Sequence, residues 1–316
     1  MHIIVFLLSM MLSCVSFAQQ DSETPPVDMQ LVKLTPHVWY VKGQAGIATD
    51  NHGFISNSAV IETEDEAIVF DALGTPALAQ MLLDLIRQKI NKPVKRVYVS
   101  HYHADHVFGL QVFKQIGAEI MGPEGAQQYI FSTGAENRLN ERRESLKPWV
   151  NKDTRLIEPD SYIKQDQTVR AGKLDIQIIT FGAAHSHADL ALYIEQDQVL
   201  LSGDLIFVGR IPFVGGNEIA RWIEKLDQLE SIPAKWIVPG HGEAFQDKPK
   251  GMALTRDYLT LLQQSMQHAV GEMLSFDEAY KAVDWSRFAS LPAFDRGNRG
   301  NAYRIFLSME ASSLDH

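Results

Sequence analysis

The sequence predicts a fold of the mixed α/β class. Short apolar segments typical of buried strands alternate along the chain with longer segments whose apolar residues recur at helical spacing. Several strand-like segments run directly into histidine or aspartate, as Val97-Tyr98-Val99 does before His101. Hydrophobic residues make up 45% of the 316 residues and charged residues 22%, which is typical of a globular protein with a sizeable core. We therefore expect an ordered chain that carries polar side chains at the ends of its strands.

The first residues have the character of a targeting segment. Residues 3–14 are nearly all apolar but too few to span a bilayer as a mature helix, and Ser16-Phe17-Ala18 supplies the small residues that a signal peptidase requires. We expect a signal peptide at 1–18, cut after Ala18, followed by a polar linker at 19–30. The alternative is lipoprotein processing at Cys14, because Leu12-Ser13-Cys14 partly matches a lipobox. The linker argues against a buried first strand or helix.

Charge and cysteine content narrow the partners and the compartment. The net charge of −10 argues against nucleic acid or an anionic membrane surface as the main partner. We expect a small-molecule substrate. After removal of the signal, no integral membrane segment is expected. Cys14 is the only cysteine, so the mature protein would have neither a disulfide nor a thiolate ligand. An exported, acidic protein without cysteine fits a periplasmic location.

The first half of the chain then predicts strands, a loop and a helix. Leu31–Val41 and Ser58–Asp71 have strand character, and the second contains a turn at 64–66 that indicates a hairpin. Between them lies a small, polar loop at 43–53. Thr75-Pro76 is an N-cap followed by proline at the first helical position, and the apolar face of the helix is formed by Leu78, Leu82, Leu85 and Ile86.

The segment after Val99 carries the densest group of metal-binding side chains. His101, His103, Asp105 and His106 fall within six residues at the end of a buried strand. His101 and His103 share one side of an extended backbone, so their imidazoles can converge on one ion. Imidazole and carboxylate suit Zn²⁺, although iron and manganese tolerate the same ligands. Such a group in a solvated loop, without a metal, is the alternative, but the spacing favours a metal site.

The second half repeats the alternation. A half-buried strand is predicted at 168–181, a hairpin at 190–201 and an amphipathic helix at Glu218–Ile232. Residues 124–150 are polar and helical, with a charged run that we interpret as a solvated helix face; an insertion at the rim of the site is the alternative. From residue 251 the pattern is helical. We therefore place a hydrolase-sized domain at 31–250 and a helical extension at 251–316.

The motif at 101–106 resembles the His-x-His-x-Asp-His signature of the metallo-β-lactamase superfamily. Later ligands of that family have matching positions here: His185 follows Gly182-Ala183-Ala184, Asp204 follows Ser202-Gly203, and His241 lies in Gly240-His241-Gly242. The likeness extends from Leu31 to Glu243. It implies an αββα four-layer sandwich with the metals at one edge between two sheets, here with a C-terminal helical extension.

The resemblance also implies roles for these residues. His101, His103 and His185 would hold one zinc ion, Asp105, His106 and His241 a second, and Asp204 would bridge both. Asp105 would also orient the attacking, metal-bound hydroxide, and Asp71 would support the metal loops. His187 is interpreted as a residue outside the ligand set.

The substrate expected from the resemblance is a cyclic amide of the β-lactam type. Many class B β-lactamases have Cys where Asp204 stands and Lys at the position of Phe207, and Arg210 is near enough in sequence to replace that Lys. Asn217, with Gly216 before it, resembles the residue that polarises the lactam carbonyl and is the second predicted catalytic residue. Glyoxalase II and other ester or thioester hydrolases share the Gly203-Asp204 pattern, so ester, thioester or phosphodiester hydrolysis is the alternative.

One further resemblance and one alternative function remain. Periplasmic zinc metallohydrolases associated with quinoproteins share the segment 209–213 and the tail pattern at Asn298–Glu310. A non-catalytic zinc-binding accessory protein is an alternative of another class. The complete set of ligand positions argues against it.

Overall fold

The computed structural model describes residues 24–215 and 219–314. The predicted signal peptide with Cys14 and the predicted catalytic residue Asn217 lie outside the described residues. The prediction of a mixed α/β chain is confirmed.

A seven-stranded sheet is formed by the first half of the chain. Its strand order follows the sequence, with antiparallel pairs up to β4 and parallel pairs from β4 to β7. The predicted hairpin at 58–71 is present as β3 and β4. The strands are β1 (Val32–Lys33), β2 (Val38–Val41), β3 (Ser58–Glu62), β4 (Ala67–Phe70), β5 (Val94–Tyr98), β6 (Glu119–Pro123) and β7 (Ser161–Ile163).

A five-stranded sheet is formed by the second half, in the order β12-β11-β10-β9-β8. Its strands are β8 (Gln167–Ala171), β9 (Leu174–Gly182), β10 (Asp189–Ile194), β11 (Val199–Phe207) and β12 (Trp236–His241). The single strand predicted at 168–181 is wrong in detail. Gly172 turns the chain with a φ of +60°, a conformation that glycine adopts at little cost, so the segment is the β8–β9 hairpin.

Helices cover the outer face of each sheet. A 3₁₀ helix (Ala48–Asn51) lies in the loop before β3. The helices are α1 (Pro76–Lys89), α2 (Ala104–Val107), α3 (Leu110–Gln115), α4 (Ala126–Ile130), α5 (Thr133–Ser145), α6 (Ile219–Ser231), α7 (Lys248–Gly271), α8 (Phe276–Ala282) and α9 (Phe294–Leu314). The predicted N-cap of α1 is confirmed, since the Thr75 hydroxyl accepts a hydrogen bond from the Leu78 amide at 3.1 Å.

Three apolar layers stabilise the sandwich. Alternate residues of one strand enter different layers: Ile61 packs between the two sheets, whereas Val60 packs against the outer helices. On the other sheet, Ile178 faces the first sheet and Ile179 faces the helices of the second half. The four-layer αββα arrangement expected from the resemblance is therefore confirmed.

The C-terminal helices share the outer core of the second sheet. Phe288, Ile305 and Phe306 are buried in the same apolar cluster as Trp222 of α6 and Leu200 of β11. The extension is thus packed on the sandwich rather than built around a core of its own. In the described part of the chain, no helix combines enough length and apolar character to cross a membrane.

Candidate metal centre

Four chain segments bring the predicted ligands to one edge of the sandwich. The loop after β5 and the start of α2 supply the residues 101–106, and the β9–β10 loop supplies His185. Asp204 lies within β11 and His241 ends β12, which are neighbouring parallel strands. All seven predicted ligands fall into two groups: His101, His103, His185 and Asp204 in one, and Asp105, His106 and His241 in the other.

The first group surrounds a single point. Nδ1 of His103 lies 3.0 Å from Nε2 of His101 and 2.9 Å from Nε2 of His185. Oδ2 of Asp204 is 3.3 Å from Nε2 of His185 and 3.7 Å from Nε2 of His101. Ligand atoms of a four-coordinate zinc ion with bonds of about 2.0–2.1 Å lie roughly 3.3 Å apart. These three imidazoles and one carboxylate oxygen therefore fit one such ion.

The second group shares Asp204 with the first. Oδ1 of Asp204 is 3.1 Å from Nε2 of His106 and 3.3 Å from Nε2 of His241, which is itself 3.3 Å from Oδ2 of Asp105. Within the described residues, neither His106 Nε2 nor Asp204 Oδ1 makes a hydrogen bond, although both are buried. Buried polar atoms that converge without bonding to each other fit a cation between them. The two oxygens of Asp204 thus face different groups, which suits a bridging ligand.

Hydrogen bonds beneath the site fix which ring nitrogens are free for metal. A carboxylate only accepts hydrogen bonds, so Nδ1 of His106 donates to Asp71 Oδ2 at 2.8 Å. The Ser100 hydroxyl donates to the same oxygen at 2.7 Å and lies 2.9 Å from Nδ1 of His101, from which it can accept. Nδ1 of His241 donates to the Ile55 carbonyl at 2.7 Å. In all three histidines Nε2 is then left to bind metal.

The electrostatics of the site favour a cation. Burial lowers the pKa of His106, but Asp204 and Asp71 outweigh it and hold that pKa well above the usual range. Burial raises the pKa of Asp204, but His241 and His106 hold it well below its usual range. The second group therefore attracts positive charge, and protons compete with metal for it.

Close backbone approach at Asp204 requires glycine. A Cβ on Gly240 would lie 2.0 Å from Oδ1 of Asp204, and a Cβ on Gly203, which has a φ of +52°, would lie 2.5 Å from that of Ser100. The predicted hairpin ended at residue 201, which is wrong: β11 continues to Phe207, with an irregular register next to Gly203, and Asp204 lies within the strand. This irregularity lets the strand carry a ligand in its interior.

A cleft of about 270 Å³ opens onto the second group, and it contains features that the sequence did not predict. Arg210 lines it and is 7% exposed, and its Nη1 has no hydrogen-bond partner among the described residues. The ring of Phe207 stacks on that of His241, with centroids 4.8 Å apart. Arg138 and Arg142 of α5 also line the cleft, so for these two residues the alternative of a rim at the site is supported rather than a purely solvated face.

Three further predictions concern His187, Asp71 and Asn217. His187 is exposed and belongs to neither ligand group, in agreement with its exclusion from the ligand set. Asp71, predicted as a supporting aspartate, lies beneath His106 and Ser100. The role of Asn217 stays a prediction, although the neighbouring residues Val214 and Gly215 line a second cavity of about 270 Å³ on the other side of His103.

Fold and site together define the class of this protein as a metal-dependent hydrolase. The chain belongs to the metallo-beta-lactamase superfamily, whose family model matches residues 52–241. This membership confirms the resemblance found in the motifs and argues against a non-catalytic accessory protein. A metal-binding group of histidine and aspartate side chains is present.

Individual relatives are distant. The metallo-beta-lactamase type 2 of Bacillus cereus is 21% identical over 193 residues, which cover 60% of this chain and 67% of the relative. A linear primary-alkylsulfatase of Pseudomonas sp. (strain ATCC 19151) is 21% identical over 260 residues, 71% of this chain and 49% of that protein. The solved structure of the sec-alkylsulfatase Pisa1 from Pseudomonas sp. has a TM-score of 0.70 at 16% identity, covering 91% of this chain and 52% of that one.

Proposed function

We propose that this chain is an exported hydrolase that binds two zinc ions and opens a cyclic amide of the β-lactam type. The observation that carries the proposal is the position of Asp204, whose two carboxylate oxygens face separate groups of ligand atoms 3.1–3.3 Å away. Two zinc ions bound by these histidine and aspartate side chains would form a hydrolytic centre that needs no protein nucleophile. When bound, such ions supply an acidified water and stabilise negative charge on the substrate.

The residues around the ions have distinct tasks. The side chain of Asp105 is 20% exposed and lines the cleft, which makes it the most open carboxylate of the centre. It can therefore orient the attacking water and accept its proton at a carboxylate oxygen. Arg210 provides a buried cation in the cleft beside Asp105 and Asp204, where the carboxylate of a β-lactam would bind. Burial lowers the pKa of Arg210, but a guanidinium stays charged at neutral pH.

A second candidate is hydrolysis of an ester, thioester or phosphodiester by the same centre. It is favoured by Asp at position 204, where many class B β-lactamases have Cys, and by Phe207 in place of their Lys. The two alkylsulfatases among the relatives extend this candidate to sulfate esters.

Hydrolysis of a chromogenic cephalosporin by the purified, zinc-loaded protein tests the proposal, with metal content measured on the same sample. We expect turnover that chelation abolishes and zinc restores. Asn217→Ala should lower kcat by about 10²–10³-fold if this side chain stabilises the oxyanion. Zinc-loaded protein without turnover would reject the cyclic amide and leave the esters, and an unchanged kcat in the variant would reject the role of Asn217.

Export is a separate part of the proposal and rests on the sequence at 1–18. Fractionation of cells that produce the full chain should place the protein in the osmotic-shock fluid, with a mature N-terminus at Gln19. A membrane-bound form that Cys14→Ser releases would establish the lipoprotein alternative. Retention of the uncut chain in the cytoplasm would contradict export by either route.

A further inference from the structure

Helix α9 forms one wall of the cleft above the metal centre. Arg296, Gly300 and Arg304 recur every four residues, so they lie along one side of the helix, and all three line the cleft. The opposite side of α9 packs into the core through Ala302, Ile305 and Phe306. The C-terminal extension therefore contributes directly to the space in which a substrate of the proposed hydrolase would lie.

The cleft-facing side of α9 is costly for a helix. Gly297 and Gly300 both lie within it, and a glycine in a helix interior costs about 1 kcal/mol relative to alanine. A Cβ on Gly300 would lie 3.3 Å from Nη1 of Arg304, a tight contact that a small shift of the guanidinium would relieve. Glycine at this position avoids that contact on the cleft side of the helix.

Arg304 is held in place by the protein itself. Its Nη2 donates to Asn301 Oδ1 at 2.7 Å, its Nε donates to the Val214 carbonyl at 2.6 Å, and its Cζ lies 4.8 Å from the ring centroid of Phe213. The Phe213 ring in turn packs edge-on against His103 of the metal centre, with centroids 5.5 Å apart. One aromatic ring therefore separates the fixed guanidinium from a predicted metal ligand.

Positive charge accumulates across the cleft. Arg138 of α5 lines the same cleft as Arg304. Burial lowers the pKa of Arg304, Tyr258 opposes this shift, and repulsion from Arg138 adds to it. Within α5, the carboxylate of Glu141 lies 2.7 Å from Nη1 of Arg138 and 3.4 Å from Nη1 of Arg142, so two arginines share one acidic partner. Among the described residues that line the cleft, the acidic ones are Asp105 and Asp204, whose charge a bound metal would neutralise. The five arginines of the cleft contrast with the net charge of −10 of the chain.

We propose that the arginines of α5 and α9, with Arg138 and Arg304 at their centre, form a subsite for an anionic group of the substrate, held across the Phe213 ring from the metal centre. The matching ligand is an anionic group other than the carboxylate placed at Arg210, such as a sulfonate or a further carboxylate, attached to an apolar body that contacts Phe213. This inference rests on the cleft being the site of the proposed hydrolase, and it applies to amide and ester substrates alike. It also gives the C-terminal extension a role in substrate selection.

Titration of the zinc-loaded full chain, followed by ¹⁹F NMR, tests the subsite. The probes are 4-fluorobenzenesulfonate and the neutral 4-fluorophenyl methyl sulfone, which share ring and sulfonyl group but differ in charge. We expect the sulfonate to bind at least about tenfold more tightly, and R138Q/R304Q to remove that preference. R87Q, which removes an exposed arginine of α1, is the matched control and should change nothing.

A second double variant and a second anionic probe complete the experiment. Should R304Q lower the melting temperature, R138Q/R296Q replaces it, because Arg296 is exposed on the cleft side of α9. A parallel titration with 4-fluorobenzoate shows whether the subsite prefers a carboxylate or a sulfonate. Equal affinity for anion and sulfone, or a preference that survives both double variants, would overturn the inference.

The proposed hydrolase activity and the proposed anion subsite can be rejected independently. A charge preference that depends on the arginines, without cephalosporin turnover, keeps the subsite and rejects the cyclic amide. Turnover without any charge preference keeps the hydrolase and rejects the subsite.

Discussion

Replacement of Asp71 by asparagine should weaken metal binding although Asp71 contacts no metal. The buried carboxylate accepts three hydrogen bonds: from the Ser100 amide at Oδ1, and from the Ser100 hydroxyl and His106 Nδ1 at Oδ2. Asparagine keeps the shape of the side chain but replaces one acceptor with an NH₂ donor. At least one of the three bonds must therefore be lost.

Both orientations of the new amide are unfavourable. With NH₂ at the Oδ1 position it faces the Ser100 amide, and a buried donor left unpaired costs about 1–3 kcal/mol. With NH₂ at the Oδ2 position it faces Nδ1 of His106, which must then give up its proton. The proton moves to Nε2, which is the atom that faces Asp204 Oδ1 at 3.1 Å in the second ligand group. The imidazole can then bind metal only at the expense of the new hydrogen bond.

We expect D71N to weaken zinc binding at the second group by about 10–100-fold, which corresponds to about 1.4–2.7 kcal/mol. Competition with a chromophoric chelator measures the affinity, and urea unfolding of the chelated protein measures the stability separately. D84N, on the exposed face of α1, is the control. Wild-type affinity for both ions in D71N would refute the argument that Asp71 sets the proton position of His106.

Two other substitutions test close contacts elsewhere in the sandwich. G240A should lose metal and about 1–3 kcal/mol of stability, because its Cβ would lie 2.0 Å from Asp204 Oδ1; a fully loaded variant of unchanged melting temperature would contradict this. D197N should lose about 1–3 kcal/mol at pH 7, since Asp197 accepts hydrogen bonds from Thr35 and from the amide and ring of His37. Burial raises the pKa of Asp197, but the hydrogen bonds from His37 and Thr35 outweigh it and lower that pKa. This stabilisation is therefore present above the unfolded pKa of about 3.9 and is lost as the pH falls through the folded value. Urea unfolding of the two chelated proteins should give stabilities that differ at pH 7 and converge in acid, and a constant difference would contradict the assignment.

The residues that converge in the two groups could be singled out from the sequence because most of them follow a recognisable local pattern. A buried strand followed by histidine or aspartate gives both the element and the direction of the side chain, as in Val97-Tyr98-Val99 before His101. The order of ligands along the chain then identified the family, and with it the layers of the sandwich.

The substrate side of the site depends on contacts that no local pattern records. Arg138 and Arg304 lie far apart in sequence and line one cleft only because α5 and α9 pack around the same edge. Their segments are typical of exposed helices, and the glycines at 297 and 300 argue against a helix when considered by themselves. The bulged course of β11 at Gly203 likewise depends on its fit against Gly240 of the neighbouring strand.

The most direct test of the metal centre is the zinc content of the full chain and of D204A, measured by mass spectrometry after equilibration in excess zinc and removal of free metal. We predict one ion for each of the two ligand groups in the wild-type protein, and loss of zinc together with hydrolytic activity in D204A. D84N should retain both. Full occupancy in D204A would contradict the bridging role of Asp204 and, with it, the proposed centre.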